Sequence, residues 1–175
     1  MGDPKKQRKK FSKPSHPWQK ERIDAERGIL KQYGLRRKEE IWRMESLLRS
    51  LLHRAKTIIG AKSSQSEIEK KQLLDRLNSL GLIKKESKVE DVLNLTLKDI
   101  MERRLQTLLH RKQIAHTMMQ ARQIITHEHV AIGDKKITSP SYLVSVVEEP
   151  QIRLVHPLSL MVQPEQKTEK QATKE

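Results

Sequence analysis

Two residue clusters could bind phosphate. The first runs from Arg103 to Lys136 and holds Arg103, Arg104, Arg111, Lys112, Arg122, His127, His129, Lys135 and Lys136. The second holds Arg36, Arg37, Lys38 and Arg43. A guanidinium can bond two phosphate oxygens at once, which lysine cannot. Arg103, Arg104 and Arg122 therefore lead the candidates. Taken singly, most Lys and Arg are solvated surface charges. Gathered on two short helices and a hairpin, they point instead to a phosphate-contact surface. His127 and His129 flank Glu128. That pair is a poor metal site, because no third ligand cluster accompanies it.

Catalytic chemistry has no visible seat. With no cysteine, disulfides, thiolate metal sites and cysteine nucleophiles are all excluded. Residues 1–95 carry no glycine-rich phosphate loop and no Ser/His/Asp arrangement. The reading is a binder without catalytic residues, metal, cofactor or small-molecule substrate.

The charge balance points to a polyanion. The net charge is +14 over 175 residues, with pI near 10.1. A surface this basic repels itself until a polyanion neutralises it. The excess lies at the front: residues 1–43 carry +8, residues 44–110 carry +4 and residues 111–175 carry +2. No apolar run approaches the ~18 residues of a spanning helix, and no apolar stretch follows the charged start as in a signal peptide. The expected setting is the cytosol, with no membrane partner. Five aromatics, Phe11, Trp18, Tyr33, Trp42 and Tyr142, are scattered along the chain. They form no base-stacking platform, and Trp18, Tyr33 and Trp42 read as packing residues. Contact with backbone and shape is favoured over base reading.

Several elements must position these groups. Residues 1–17 hold Lys5, Lys6, Arg8, Lys9, Lys10 and Lys13 among three prolines and read as an unfolded basic arm. A helical part follows over 18–95. Its first helix runs from Trp18 to Tyr33, started by Pro17 and stopped by Gly34. The second, Arg36 to Ile59, shows the strongest amphipathic pattern: Ile41, Met44, Leu48, Leu51, Ala55 and Ile58, widened by Leu47, Leu52 and Ile59. Gly60 ends it. A third helix is expected from the capping spacing of Ser66 and Glu69, with Leu73, Leu74, Leu77 and Leu80 inward and Gly81 as its stop. Ser87 and Glu90 repeat the box ahead of a shorter helical piece.

A small domain is expected over 96–149. Thr96 and Asp99 have capping spacing. Ile100 to His110 reads as one helix, with Leu105, Leu108 and Leu109 inward and Arg103 and Arg104 outward. Another helix spans Thr117 to His127. Then the period shifts to two: Val130–Ile132, a Gly133-Asp134 turn and Lys135–Ile137 make a hairpin. Tyr142 to Val147 reads as a further strand. Residues 150–163 are apolar enough to pack as extended chain, and 164–175 read as a disordered polar tail. The fold class is α+β, an N-terminal helical domain with a basic arm followed by a helix-helix-hairpin domain.

The residues Arg104-Leu105-Gln106, Ala121-Arg122-Gln123-Ile124, His127 through Ile132 and Pro140-Ser141-Tyr142 resemble the small RNA-binding domain named after ribosomal protein four of the small subunit. That domain also occurs in RNA enzymes. HPWQKERIDAE at 16–26, YGLRRKEEIWR at 33–43 and the LGLI turn at 80–83 resemble the N-terminal region of the archaeal-type ribosomal protein four family. The resemblance covers about residues 1–155. It implies a structural constituent of the cytoplasmic small ribosomal subunit. Such a protein binds small-subunit rRNA early in assembly, at a helix junction of its five-prime domain. It also implies a place near the path by which mRNA enters, and contact with other small-subunit proteins, protein five among them. The family pattern commonly has glycine where Glu128 stands. Glu128 is expected to force a less open turn between His127 and His129. Two other readings compete: a stand-alone RNA enzyme carrying the same small domain, which would need catalytic groups that residues 1–95 do not show, and a small basic DNA-packaging protein.

Overall fold

The computed structural model describes Gly2, Lys9 and residues 11–61, 63–84 and 86–155. Lys5, Lys6, Arg8, Lys10 and everything after Val155 lie outside the described residues, so the expectations for the arm's core and the tail do too.

Six helices and a small sheet are described. They are α1 (Lys20–Gln32), α2 (Lys38–Gly60), α3 (Ser64–Ser79), α4 (Leu97–Glu102), α5 (Leu105–Arg111) and α6 (Met118–Thr126). The strands are β1 (Val130–Ile132), β2 (Lys135–Lys136) and β3 (Ile152–Leu154), antiparallel in the order β2-β1-β3. Short 3-10 turns cover Val89–Asn94 and Glu149–Gln151. This is the expected α+β architecture.

The helical part closes around α2. Ile41, Met44, Leu51, Ala55 and Ile58 are buried along one stripe, as their spacing requires. Ile59 is 46% exposed and does not widen that stripe; one residue past Ile58, it is turned about 100° round the helix. Helix α1 begins at Lys20 rather than Trp18, because Pro17 and Trp18 form a turn ahead of it. Helix α3 begins at Ser64, capped by the Ser63 hydroxyl accepting from the Gln65 amide at 3.3 Å. Ser66 is not the cap; its hydroxyl turns back to the carbonyls of Ala61 and Ser63. The next box is likewise shifted: Asp91 accepts from the Lys88 amide at 2.8 Å. The Thr96–Asp99 pairing forms as spaced, with the Asp99 carboxylate 2.8 Å from both the amide and the hydroxyl of Thr96.

Helices α1, α3, α5 and α6 end alike, with the next residue but one in the left-handed region: Gly34, Gly81, Gln113 and Glu128. In each, the following amide bonds back to a carbonyl five residues earlier, as Leu35 does to Leu30 and His129 to Ile124. Gly34 is held by sterics as well as by its φ of +57°, since a Cβ there would lie 2.7 Å from Met118 Cβ.

There are two cores. The first holds the α2 stripe with Leu73, Leu77, Val89, Val92, Ile100 and Met101, so α4 packs with the helical part. The second holds Leu105, Leu108, Leu109, Ala121, Ile124, Ile125, Val130, Ile132 and Val144. Between them the expected single helix Ile100–His110 is broken. Arg104 is extended (φ −73°, ψ 140°) and opens α5. The chain near Val144 crosses this break: Leu105 donates to the Tyr142 carbonyl at 2.8 Å and Val144 donates to the Arg103 carbonyl at 3.0 Å. Those bonds occupy the backbone of 142–144, so the expected strand Tyr142–Val147 does not join the sheet. Ile152–Leu154 takes the third place, pairing Ala131 with Arg153.

Candidate nucleic-acid interface

The break at Arg103-Arg104 turns both side chains inward, against the expectation that they face solvent. Arg104 is 1% exposed. Its Nη2 lies 2.7 Å from Glu40 Oε2 on α2. Arg122, from α6, approaches the other oxygen of the same carboxylate at 3.1 Å. The Arg36 amide adds a bond to Glu40 at 3.3 Å. Burial pushes the Glu40 carboxyl up, but Arg122 and Arg104 outweigh it and hold the group below the usual carboxylate range. Arg103 lies 2.8 Å from Glu149 and donates to the Val144 carbonyl at 3.0 Å. All three leading arginines thus tie segments of the chain together.

Around Glu40 opens a cleft of about 530 Å³ between the helical part and the second core. Arg36, Arg37 and Arg43 line one wall, Arg122 with Pro140 and Ser141 the other, and Glu40 and Arg104 the base. Five arginines stand against Glu39 and Glu40, so the cleft stays cationic although a carboxylate sits at its centre. Arg36, Arg37 and Arg43 are exposed. Arg43 also lies over the Phe11 ring, 5.7 Å from its centroid.

The structure therefore joins two clusters that stand far apart in sequence. The remaining candidates do not line this cleft. Lys38 is committed to Glu26 at 3.1 Å. Arg111 pairs with Glu102, and Lys112 reaches the Glu149 carbonyl. Lys9, Lys13, Lys135 and Lys136 are exposed. The rings of His127 and His129 stack at 6.3 Å. Glu128 does not close the turn between them: it adopts φ +63° and ends α6 as a glycine would. Among the described residues no group of three His, Asp or Glu could hold a metal ion, and no helix is long and apolar enough to cross a membrane.

Three positioning residues escape a reading by charge. Glu40 is one. Glu26, 2% exposed, accepts from Trp42 Nε1 at 3.0 Å and pairs with Arg22 and Lys38, fixing α1 to α2. Gln106, 1% exposed, directs Nε2 at the carbonyls of Tyr33, Gly34 and Met118, within 3.2 Å of each. That amide joins the α1–α2 turn to the start of α6. Its signal is a polar residue between the inward-facing Leu105 and Leu109.

The S4 domain family model matches residues 103–149, the segment that supplies Arg103, Arg104 and Arg122. Across the wider chain, the small ribosomal subunit protein uS4 of Saccharolobus solfataricus is 48% identical over 150 residues, 85% of this chain and 83% of that protein. The uS4 proteins of two Saccharolobus islandicus strains are 47% identical over the same shares. The chain belongs to the small ribosomal subunit protein uS4 family. The aligned length exceeds the S4 domain by a wide margin, so membership extends to the helical part, α2 included. Both walls of the cleft thus come from a uS4 chain: α2 from the helical part, α6 and Pro140-Ser141 from the S4 domain.

Proposed function

We propose that this chain is a structural component of the small ribosomal subunit and binds its rRNA by laying phosphate backbone in the cleft between α2 and α6. The observation that carries this reading is the arginine-lined cleft with its neutralised carboxylate. Glu40 holds Arg104 and Arg122 in place, and Arg36, Arg37 and Arg43 supply the free charge. Arg103 and Arg104 act by position, from within. Lys13, Arg111, Lys112, His127, His129, Lys135 and Lys136 provide a flanking surface, and Lys5, Lys6, Arg8, Lys9 and Lys10 contribute further charge against phosphate. The functional division is the basic arm 1–17, the helical domain and the small RNA-binding domain. No catalytic step is involved, and the place of work is the cytoplasmic ribosome.

Family membership supports finer detail. The chain binds early in assembly, at a junction of helices in the five-prime domain of the rRNA, close to where mRNA enters. Small-subunit protein five is its neighbour.

The test is titration of a five-prime-domain rRNA transcript across a salt series. Log affinity should fall with log salt by roughly 0.7–0.9 per phosphate contacted. The Arg36→Ala/Arg37→Ala/Arg43→Ala triple variant should bind more weakly and with a shallower slope. A flat salt response of the natural chain would end the electrostatic reading. Equal competition by duplex DNA would favour a DNA-packaging role.

A further inference from the structure

Trp18 does not pack. It is 90% exposed, the most exposed large hydrophobic among the described residues. A lone exposed apolar side chain is ordinary, but the turn that carries this one is clamped from both sides. Arg22 Nη2 donates to the carbonyls of His16 and Pro17 at 2.9 and 3.0 Å. Arg22 is itself paired to the buried Glu26. Upstream, the Ser12 amide donates to Ser46 Oγ at 3.1 Å and Arg49 donates to Ser12 Oγ at 3.0 Å. Both ends of the segment are thus fixed to helices, and an indole is held out in water.

The surroundings identify what would cover it. The exposed cations Lys13 and Lys20 flank the ring in sequence, with the exposed His16 between Lys13 and Trp18. A hollow of about 410 Å³ lies alongside, lined by Lys13, Arg22 and Arg49 with the hydroxyl of Ser12. It shares His16 and Gln19 with the small hollow at Trp18 itself. An aromatic face next to a cationic hollow suits a group that is both planar and anionic. An unpaired nucleotide is such a group: its base stacks on the indole and its phosphate enters the hollow. Arg22 and Arg49 already have Glu26 and Glu45 as ion-pair partners, but Lys13 and Lys20 are exposed, and an apolar protein surface would offer them no counter-charge.

We infer that Trp18 is a stacking platform for one unpaired rRNA base, whose phosphate is held beside it by Lys13 and Arg49, with Arg22 clamping the turn that presents the ring. This rests on the rRNA-binding reading and adds a second, non-electrostatic contact to it.

The experiment uses the full-length chain and the five-prime-domain transcript. Trp18→Ala should weaken binding about 5- to 150-fold, matching roughly 1–3 kcal/mol per stacked base. Its salt slope should be unchanged, because the lost contact carries no charge, and its melting temperature should stay put. Trp18→Phe should retain most of the affinity. Tryptophan emission of the natural chain should be quenched by the transcript, and Trp18→Phe should lose most of that quenching, Trp42 being partly buried. Natural affinity in Trp18→Ala, or a Trp18 emission change that appears only when neighbouring small-subunit proteins are added, overturns the platform. If the natural chain does not bind the transcript, the rRNA reading fails first.

Discussion

Glu40 and Arg104, 64 residues apart in the chain, meet at 2.7 Å where the helical part touches the second core. Arg104 is 1% exposed and Glu40 is its ion-pair partner. The two halves of this pair are not equivalent, because Glu40 also has Arg122, whereas Arg104 has no second carboxylate among the described residues. Removing one partner of a buried pair leaves a charge without compensation. Glu40→Ala should therefore cost on the order of 3 kcal/mol, lowering the melting temperature by roughly 6–12 °C for a chain of this size. Arg104→Met should cost less than half as much, since Arg122 remains against Glu40. In the double variant the two losses should not add. Thermal melts of the three variants check this, and strictly additive losses would show that the residues act independently.

Glu128 sits at φ +63°, in the region where a Cβ meets the following carbonyl. Relief of that crowding exceeds the extra backbone freedom glycine brings to the unfolded chain. Glu128→Gly should stabilise by about 1 kcal/mol. Urea denaturation is the measurement: the midpoint should rise with the slope unchanged. An unchanged or lower midpoint would mean the Glu128 side chain contributes more than the left-handed backbone costs.

Burial pushes Glu26 up, yet the bonds from Trp42, Lys38 and Arg22 hold its carboxyl below the usual range, as Arg122 and Arg104 do for Glu40. A carboxyl whose folded pKa is depressed stabilises fully above its unfolded pKa, and that stabilisation is lost as pH falls through the folded pKa. Melting temperature should thus hold steady from about pH 7 to 5 and drop below about pH 4, where unfolded glutamates titrate. Glu26→Gln and Glu40→Gln should each melt lower at pH 7 and show a shallower acid drop. An acid slope equal to that of the natural chain in both variants would assign the effect to other groups.

Much of the fold is written in local patterns. The apolar stripe of α2, the Thr96–Asp99 cap and the Gly133-Asp134 hairpin each follow from neighbouring residues, and each forms. The break after Glu102 does not show, because Ile100, Leu105, Leu108 and Leu109 keep a helical period straight through it. What interrupts the helix is the distant backbone of Tyr142 and Val144, which claims the groups at Arg103 and Leu105. The site was legible in the same measure. Basic clusters mark its walls, but Glu40 at its base is one acid among twenty-two. Its role depends on partners 64 and 82 positions away. Arg103, Arg104 and Arg122 stand out by residue type, and the same chemistry that suits them to phosphate suits them to carboxylate.

Those separations also set an order of events during synthesis. A nascent chain that has emerged through α2 already displays Arg36, Arg37 and Arg43, but Glu40 then stands among them with neither arginine beside it. The cleft cannot assemble until Arg122 has been made. Closing so long a loop is also slower than folding a helix. Early segments can attract RNA by charge alone, while the shaped recess appears only once most of the molecule exists. A truncated product ending before α6 would therefore bind loosely and without register.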